Sequence, residues 1–162
     1  MGGIRNPGSG IRSSSESGIR APVLLLGYGN ELRGDDGIGP AVARAVEAWG
    51  IPGVEVIEAH QLTPELSDPI SKAGLAIFVD AAAEGDSVAV KRVLPDEAAG
   101  PTAHAGDPAK LLGLAKLVFG HAPEAWYVTV PAPDMAFREG LSPEAEAGVA
   151  EALERIRALI AG

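Results

Sequence analysis

The stretch from 22 to 40, Pro22-Val-Leu-Leu-Leu-Gly27-Tyr-Gly29-Asn30-Glu31-Leu-Arg-Gly34-Asp35-Asp36-Gly37-Ile-Gly39-Pro40, sets the reading of the whole chain. The apolar run Val23 to Leu26, bounded by glycine, has the length and composition of a strand buried on both faces, as in a parallel sheet. The loop behind it carries glycine at 27, 29, 34, 37 and 39, and glycine allows backbone angles and close approaches denied to other residues. Two adjacent aspartates, Asp35 and Asp36, stand just ahead of a helix that opens at Pro40, where the helix dipole favours negative charge. Loops at the carboxyl ends of parallel strands are where open α/β sheets place their sites.

Outward from this stretch, strand and helix patterns alternate. The first helix runs from Pro40 to about Trp49, with Val42, Val46 and Trp49 on one face. Val54 to Glu58 follows as a second strand, and Thr63-Pro64 opens a second helix. Leu75 to Val79 is a third buried strand ending at Asp80. Ser87 to Leu94 alternates Val88, Val90, Arg92 against Ala89, Lys91, Val93, the pattern of an exposed, antiparallel edge strand. Asp107-Pro108 starts a helix with Leu111, Leu112 and Val118 inward. Ala125 to Val130 is a fifth strand, and Ser142-Pro143 opens the last helix, whose Val149, Leu153, Ile156 and Ile160 keep helical spacing. Each helix thus begins at a proline, which loses no hydrogen bond at the first helical position, and Thr63, Asp107 and Ser142 are good caps ahead of three of them. The order predicts an α/β fold: a three-layer doubly wound sandwich of about five mostly parallel strands, one antiparallel edge strand, and helices on both faces.

Composition narrows the function. The chain has 162 residues, enough for one domain with a proper core. It has no cysteine, which excludes disulfides, thiolate nucleophiles and Cys-bound metal. Residues 1–20 hold three arginines and one glutamate, a net +2, which leaves −11 for the body of a chain with net charge −9. So acidic a body argues against nucleic acid and anionic membrane surfaces as partners. No apolar stretch approaches the ~20 residues needed to span a bilayer. Met1 to Ala21 is rich in Gly and Ser, repeats Gly-Ile-Arg at 3–5, 10–12 and 18–20, and lacks the apolar core of a secretory signal. It is expected to be a disordered tail, with 22–162 a single domain in a cytoplasmic protein.

Candidate chemistry lies at the strand ends. Asp35-Asp36 taken alone is a turn with a helix cap or part of a site. A dinucleotide fingerprint fails on spacing, since Leu32 stands where the third glycine belongs, and no Gly-Lys-Ser/Thr phosphate loop is present. Asp80 ends a buried strand with no helix pattern directly behind it, which weakens a capping role. First and third strands are commonly neighbours in doubly wound sheets, so Asp36 and Asp80 are expected to face one crevice. His104 sits in a thirteen-residue connection, Pro95 to Asp107, long for an α/β link; His60 and His121 read as surface or capping residues. Two carboxylates and an imidazole suit a divalent ion such as Ni, Zn or Mn, and equally an acid–base pair that activates water.

The residues from Gly27 to Gly39 resemble the opening signature of the hydrogenase maturation proteases. The resemblance continues in His60-Gln61-Leu62-Thr63-Pro64-Glu65-Leu66, in Phe78-Val79-Asp80-Ala81, in His104 followed by Pro108 and Leu111-Leu112, and in Gly140-Leu141-Ser142-Pro143-Glu144. It spans 22–162 and leaves the tail outside. It implies an endopeptidase, of aspartic or metal-assisted type, that removes the C-terminal extension of a nickel–iron hydrogenase large-subunit precursor after nickel insertion. It further implies that Asp36, Asp80 and His104 serve both as catalytic groups and as ligands sensing the precursor's nickel, with no cofactor of the chain's own. Family members also carry Glu at the first of these positions; Asp36 has a shorter reach. Asp35 is then a loop residue supporting the site, and the expected state is a monomer. The competing reading is a non-catalytic α/β module that holds a metal or small ligand in the same crevice.

Overall fold

The computed structural model describes residues 22–97 and 106–162. The tail to Ala21 and the segment 98–105, which contains His104, lie outside the described residues. β1 is Val23–Tyr28, β2 Val54–Ala59, β3 Leu75–Ala82, β4 Ala89–Val93 and β5 Glu124–Pro131. They form one sheet in the order β2-β1-β3-β5-β4. The first three and β5 run parallel, and β4 pairs antiparallel with β5 at the edge. This is the mixed sheet expected from the alternation of apolar runs and the one half-polar strand.

The period-two alternation of side chains explains the layers. Leu25, Ile77, Val79, Val128 and Val130 point to the side covered by α1 (Ile38–Ala48) and α4 (Pro143–Ala161), where they meet Val42, Val46, Ile156 and Ile160. Leu24, Leu26, Ala76 and Phe78 point to the other side, against Ile70 of α2 (Ser67–Ser71) and Leu111 and Leu112 of α3 (Pro108–Phe119). β1 is buried along its whole length. Full burial of a side chain such as Leu or Phe is worth about 1.5–3 kcal/mol, so the central strands anchor the fold.

Three boundaries depart from expectation. α1 starts at Ile38, two residues ahead of Pro40, because a 3-10 turn over Gly34–Gly37 runs straight into it. Proline is tolerated there as well, since the first four N–H groups of a helix have no partner inside it. Pro64 opens a 3-10 turn, Pro64–Leu66, and Thr63 makes no side-chain cap bond; the α-helix begins at Ser67. Asp80 lies inside β3, which continues to Ala82 because β5 extends alongside it to Pro131. Asp107 and Ser142 do cap, accepting from the N–H of Ala109 and Ala145.

The glycines at 27 and 39 let β1 and α1 touch backbone to backbone. A Cβ at Gly39 would lie 2.2 Å from the carbonyl oxygen of Tyr28, and one at Gly27 would lie 2.1 Å from that of Gly39. Gly39→Ala is therefore expected to cost about 2–3 kcal/mol, seen as a lower urea midpoint at unchanged slope. A wild-type midpoint would contradict this contact. Among the described residues, no helix is long and apolar enough to cross a membrane.

Candidate active site

The sheet register brings Asp80 to the carboxyl ends of the central strands. Gly27 pairs with Val79, so Tyr28 stands beside Asp80 on the same face as Phe78, and Tyr127, paired with Phe78, shares that face. The Asp80 carboxylate is half-buried. Its Oδ2 accepts from the Tyr127 hydroxyl at 2.9 Å, and its Oδ1 accepts from the Ala81 N–H at 2.8 Å. Burial raises its proton affinity, the neighbouring hydroxyls and the Ala81 N–H lower it, and the charge of Asp36 raises it again; the net effect lifts this carboxyl above its ordinary value.

Asp36 reaches the same place from the loop after β1. Its Oδ2 accepts from the Asn30 N–H at 2.8 Å, and the Asn30 Oδ1 in turn accepts from the Leu32 N–H at 3.0 Å. The loop folds back tightly: at Gly29, with φ of 150°, a Cβ would lie 2.0 Å from the Asp36 carbonyl oxygen. Asp36 lies near enough to Asp80 for its charge to act on that carboxyl. Carboxylates are hard oxygen donors for divalent ions and can draw a proton from water.

Asp35, its neighbour in the same turn, does something else. It is fully buried, 0% exposed, and faces away toward the loop between β5 and α4. Its Oδ1 accepts from the Ser142 N–H at 2.7 Å; its Oδ2 accepts from the Ser142 hydroxyl at 2.7 Å and from the Asp134 N–H at 3.0 Å. Burial alone would raise its pKa, but these three bonds and the Arg138 charge outweigh it and hold the carboxyl below its ordinary value. The backbone doubles the link, with Asp35 N–H to Asp134 O and Gly34 N–H to Arg138 O, both 2.8 Å. Ser142 meanwhile caps α4. Asp35 therefore ties the Asp36 loop to the opposite wall, which agrees with its expected supporting place.

The sequence reading overlooked two residues. The chain has two tyrosines, and both pack against Asp80. Burial first, and then the Asp80 charge, pushes the Tyr127 hydroxyl up to about 12. Burial and the same charge carry Tyr28 far above the ordinary tyrosine value. For Tyr28, the last residue of β1, its place at a strand end was the available signal; Tyr127, in the middle of β5, offered none. Asp107, the α3 cap, is near enough for its charge to reach Tyr127. This brings the α3 N-terminus to the site; His104 precedes it but lies outside the described residues. Among the described residues, no three carboxylates or imidazoles gather as a metal-ligand set; Asp36 and Asp80 are two donors.

His60 is exposed at the surface, as expected, but it also lines a groove of about 590 Å³ with Asn30, Glu31, Leu32, Glu58 and Glu139. Neither Asp36 nor Asp80 lines this groove. It adjoins them through Asn30, whose N–H holds Asp36.

No protein-family model matches the chain, and no curated protein does. Solved structures do. The hydrogenase maturating endopeptidase HybD from Escherichia coli is 25% identical, with a TM-score of 0.64 over 84% of this chain and 90% of that one. The maturation protease HybD from Thermococcus kodakarensis is 23% identical, with a TM-score of 0.65 over 85% of this chain and 98% of that one. HycI from the same organism, at 19% identity, has a TM-score of 0.67 over 92% of this chain and the whole of its own; the last two bear on the fold alone. In fold the chain is similar to the hydrogenase maturation endopeptidases, in agreement with the resemblance carried by residues 27–39.

Proposed function

We propose that the chain is a cytoplasmic, monomeric endopeptidase that trims the C-terminal extension from a nickel–iron hydrogenase large-subunit precursor once nickel is in place. The observation that carries this reading is the half-buried Asp80 carboxylate in the carboxyl-terminal part of β3, with Asp36 in the loop that follows the neighbouring β1, in a chain whose fold is similar to that of the maturation endopeptidases.

In this reading the nickel belongs to the substrate. The precursor presents it on its own side chains, and Asp36 and Asp80 meet it with hard oxygen donors that suit a divalent ion. His104, three residues before Asp107 in the sequence, completes the set in this reading. Engagement of the metal positions the adjacent peptide over the carboxylates. A carboxylate with raised proton affinity is a suitable base for water. Water oxygen then attacks the peptide carbonyl carbon while its proton passes to Asp80. The tetrahedral intermediate collapses with cleavage of the C–N bond, and the proton passes on to the departing amine. The scheme uses water as the nucleophile, and the chain has no cysteine.

The test is intact-mass measurement of nickel-loaded precursor incubated with the protein. A single clip near the precursor C-terminus, leaving the remainder whole, is the expected result. Tight association with no loss of mass would instead favour the ligand-binding module.

A further inference from the structure

The Asp80 carboxylate is held from two directions. A half-exposed aspartate at a strand end can ordinarily turn about its side-chain bonds. Here one lone pair on each oxygen is taken: Oδ1 by the Ala81 N–H of its own strand, Oδ2 by the Tyr127 hydroxyl of the next. The Ala81 bond is local and would follow the carboxylate through small rotations. The Tyr127 bond is not local, since it spans 47 residues and comes from a paired strand. Behind them Tyr28 is 7% exposed, and its enclosed hydroxyl lies beside the Tyr127 hydroxyl and the Asp80 carboxylate.

We propose that Tyr127 is a positioning residue: its hydroxyl fixes the Asp80 carboxylate so that the unused lone pairs face the crevice shared with Asp36, with Tyr28 walling the pair from behind. The inference rests on the reading of Asp80 given above. Tyr127 does not itself touch the substrate, and its ring would pack equally well as phenylalanine.

The experiment compares the Asp80 Hα–Hβ couplings of the whole protein in solution with those of Tyr127→Phe and Tyr28→Phe. One rotamer is expected in the wild type and in Tyr28→Phe, and averaged couplings in Tyr127→Phe. A single rotamer in Tyr127→Phe would overturn the proposal. With nickel-loaded precursor, Tyr127→Phe should lower kcat about tenfold or more while KM stays within about twofold, because ground-state binding survives and aligned attack does not; an unchanged kcat would also overturn it. Should the wild type cleave no precursor, the functional reading fails, while the couplings still decide whether Tyr127 positions Asp80. A wild-type measurement guards against a variant that does not fold. A slowly exchanging Tyr127 hydroxyl proton with a nuclear Overhauser contact to the Asp80 β protons supports the proposal, and a freely exchanging one contradicts it.

Discussion

Asp80→Asn is expected to lower cleavage of nickel-loaded precursor at least about 100-fold, the range over which a positioned acid–base group acts, while leaving the fold intact. The amide oxygen can still accept from the Ala81 N–H while its NH2 donates to the Tyr127 hydroxyl oxygen, so the loss is one of charge and basicity, not of shape. Stability should hold or rise. The Asp80 pKa is raised by burial and by Asp36, so the native state binds this proton more tightly than the unfolded chain does. Its stabilising contribution is therefore present below the ordinary value of 3.8 and is lost as pH rises through the elevated one. At neutral pH the ionised group costs the fold something, and asparagine removes that cost. Asp36→Asn should show the same loss of cleavage. A rate within about tenfold of wild type for either variant would remove that residue from the chemistry.

Asp35→Ala is expected to be the most destabilising of the site substitutions, although Asp35 touches no substrate. It strands the Ser142 N–H in a buried setting and the Asp134 N–H in a part-buried one, and it removes three side-chain bonds between the two loops. Loss of a buried, hydrogen-bonded charge of this kind costs about 3 kcal/mol or more, which for a chain of this size lowers Tm by about 6–12 °C. Asp35→Asn should recover only part, because its NH2 group must face an N–H donor where an oxygen accepted before. The pH dependence runs opposite to that of Asp80. Here the native pKa is lowered, so the contribution is present above 3.8 and is lost as pH falls below it through the native value. Acid titration of unfolding should show this step in the wild type and not in Asp35→Asn; equal profiles would mean that Asp35 does not carry the clamp.

The fold was legible where burial writes itself into local pattern. Val23 to Leu26 and Leu75 to Val79 are apolar throughout because helices cover both faces of a parallel sheet, and β4 is half-polar and only part-buried because it lies at an edge. The start of α1 was misplaced because a 3-10 turn merges into it and Pro40 fits the third helical position as well as the first. The adjacency of β1 and β3, which sets the Asp36 loop beside the strand that carries Asp80, was foreseeable from the doubly wound order. The division of labour between Asp35 and Asp36 was expected only through the family resemblance, since two identical neighbours differ only in the direction the turn gives them. What clamps Asp35 lay beyond local reading, because its partner Ser142 is 107 residues away. Tyr127 was missed for the same reason: its ring reads as ordinary strand core, and only the register sets its hydroxyl on Asp80.

The most direct measurement compares nickel-loaded with nickel-free large-subunit precursor, each incubated with the protein and followed by intact mass. Clipping of the loaded precursor alone, abolished by Asp36→Asn and by Asp80→Asn, is the predicted result. Equal clipping of both forms would contradict nickel sensing by the carboxylate pair, and clipping that survives loss of either carboxylate would contradict the site itself.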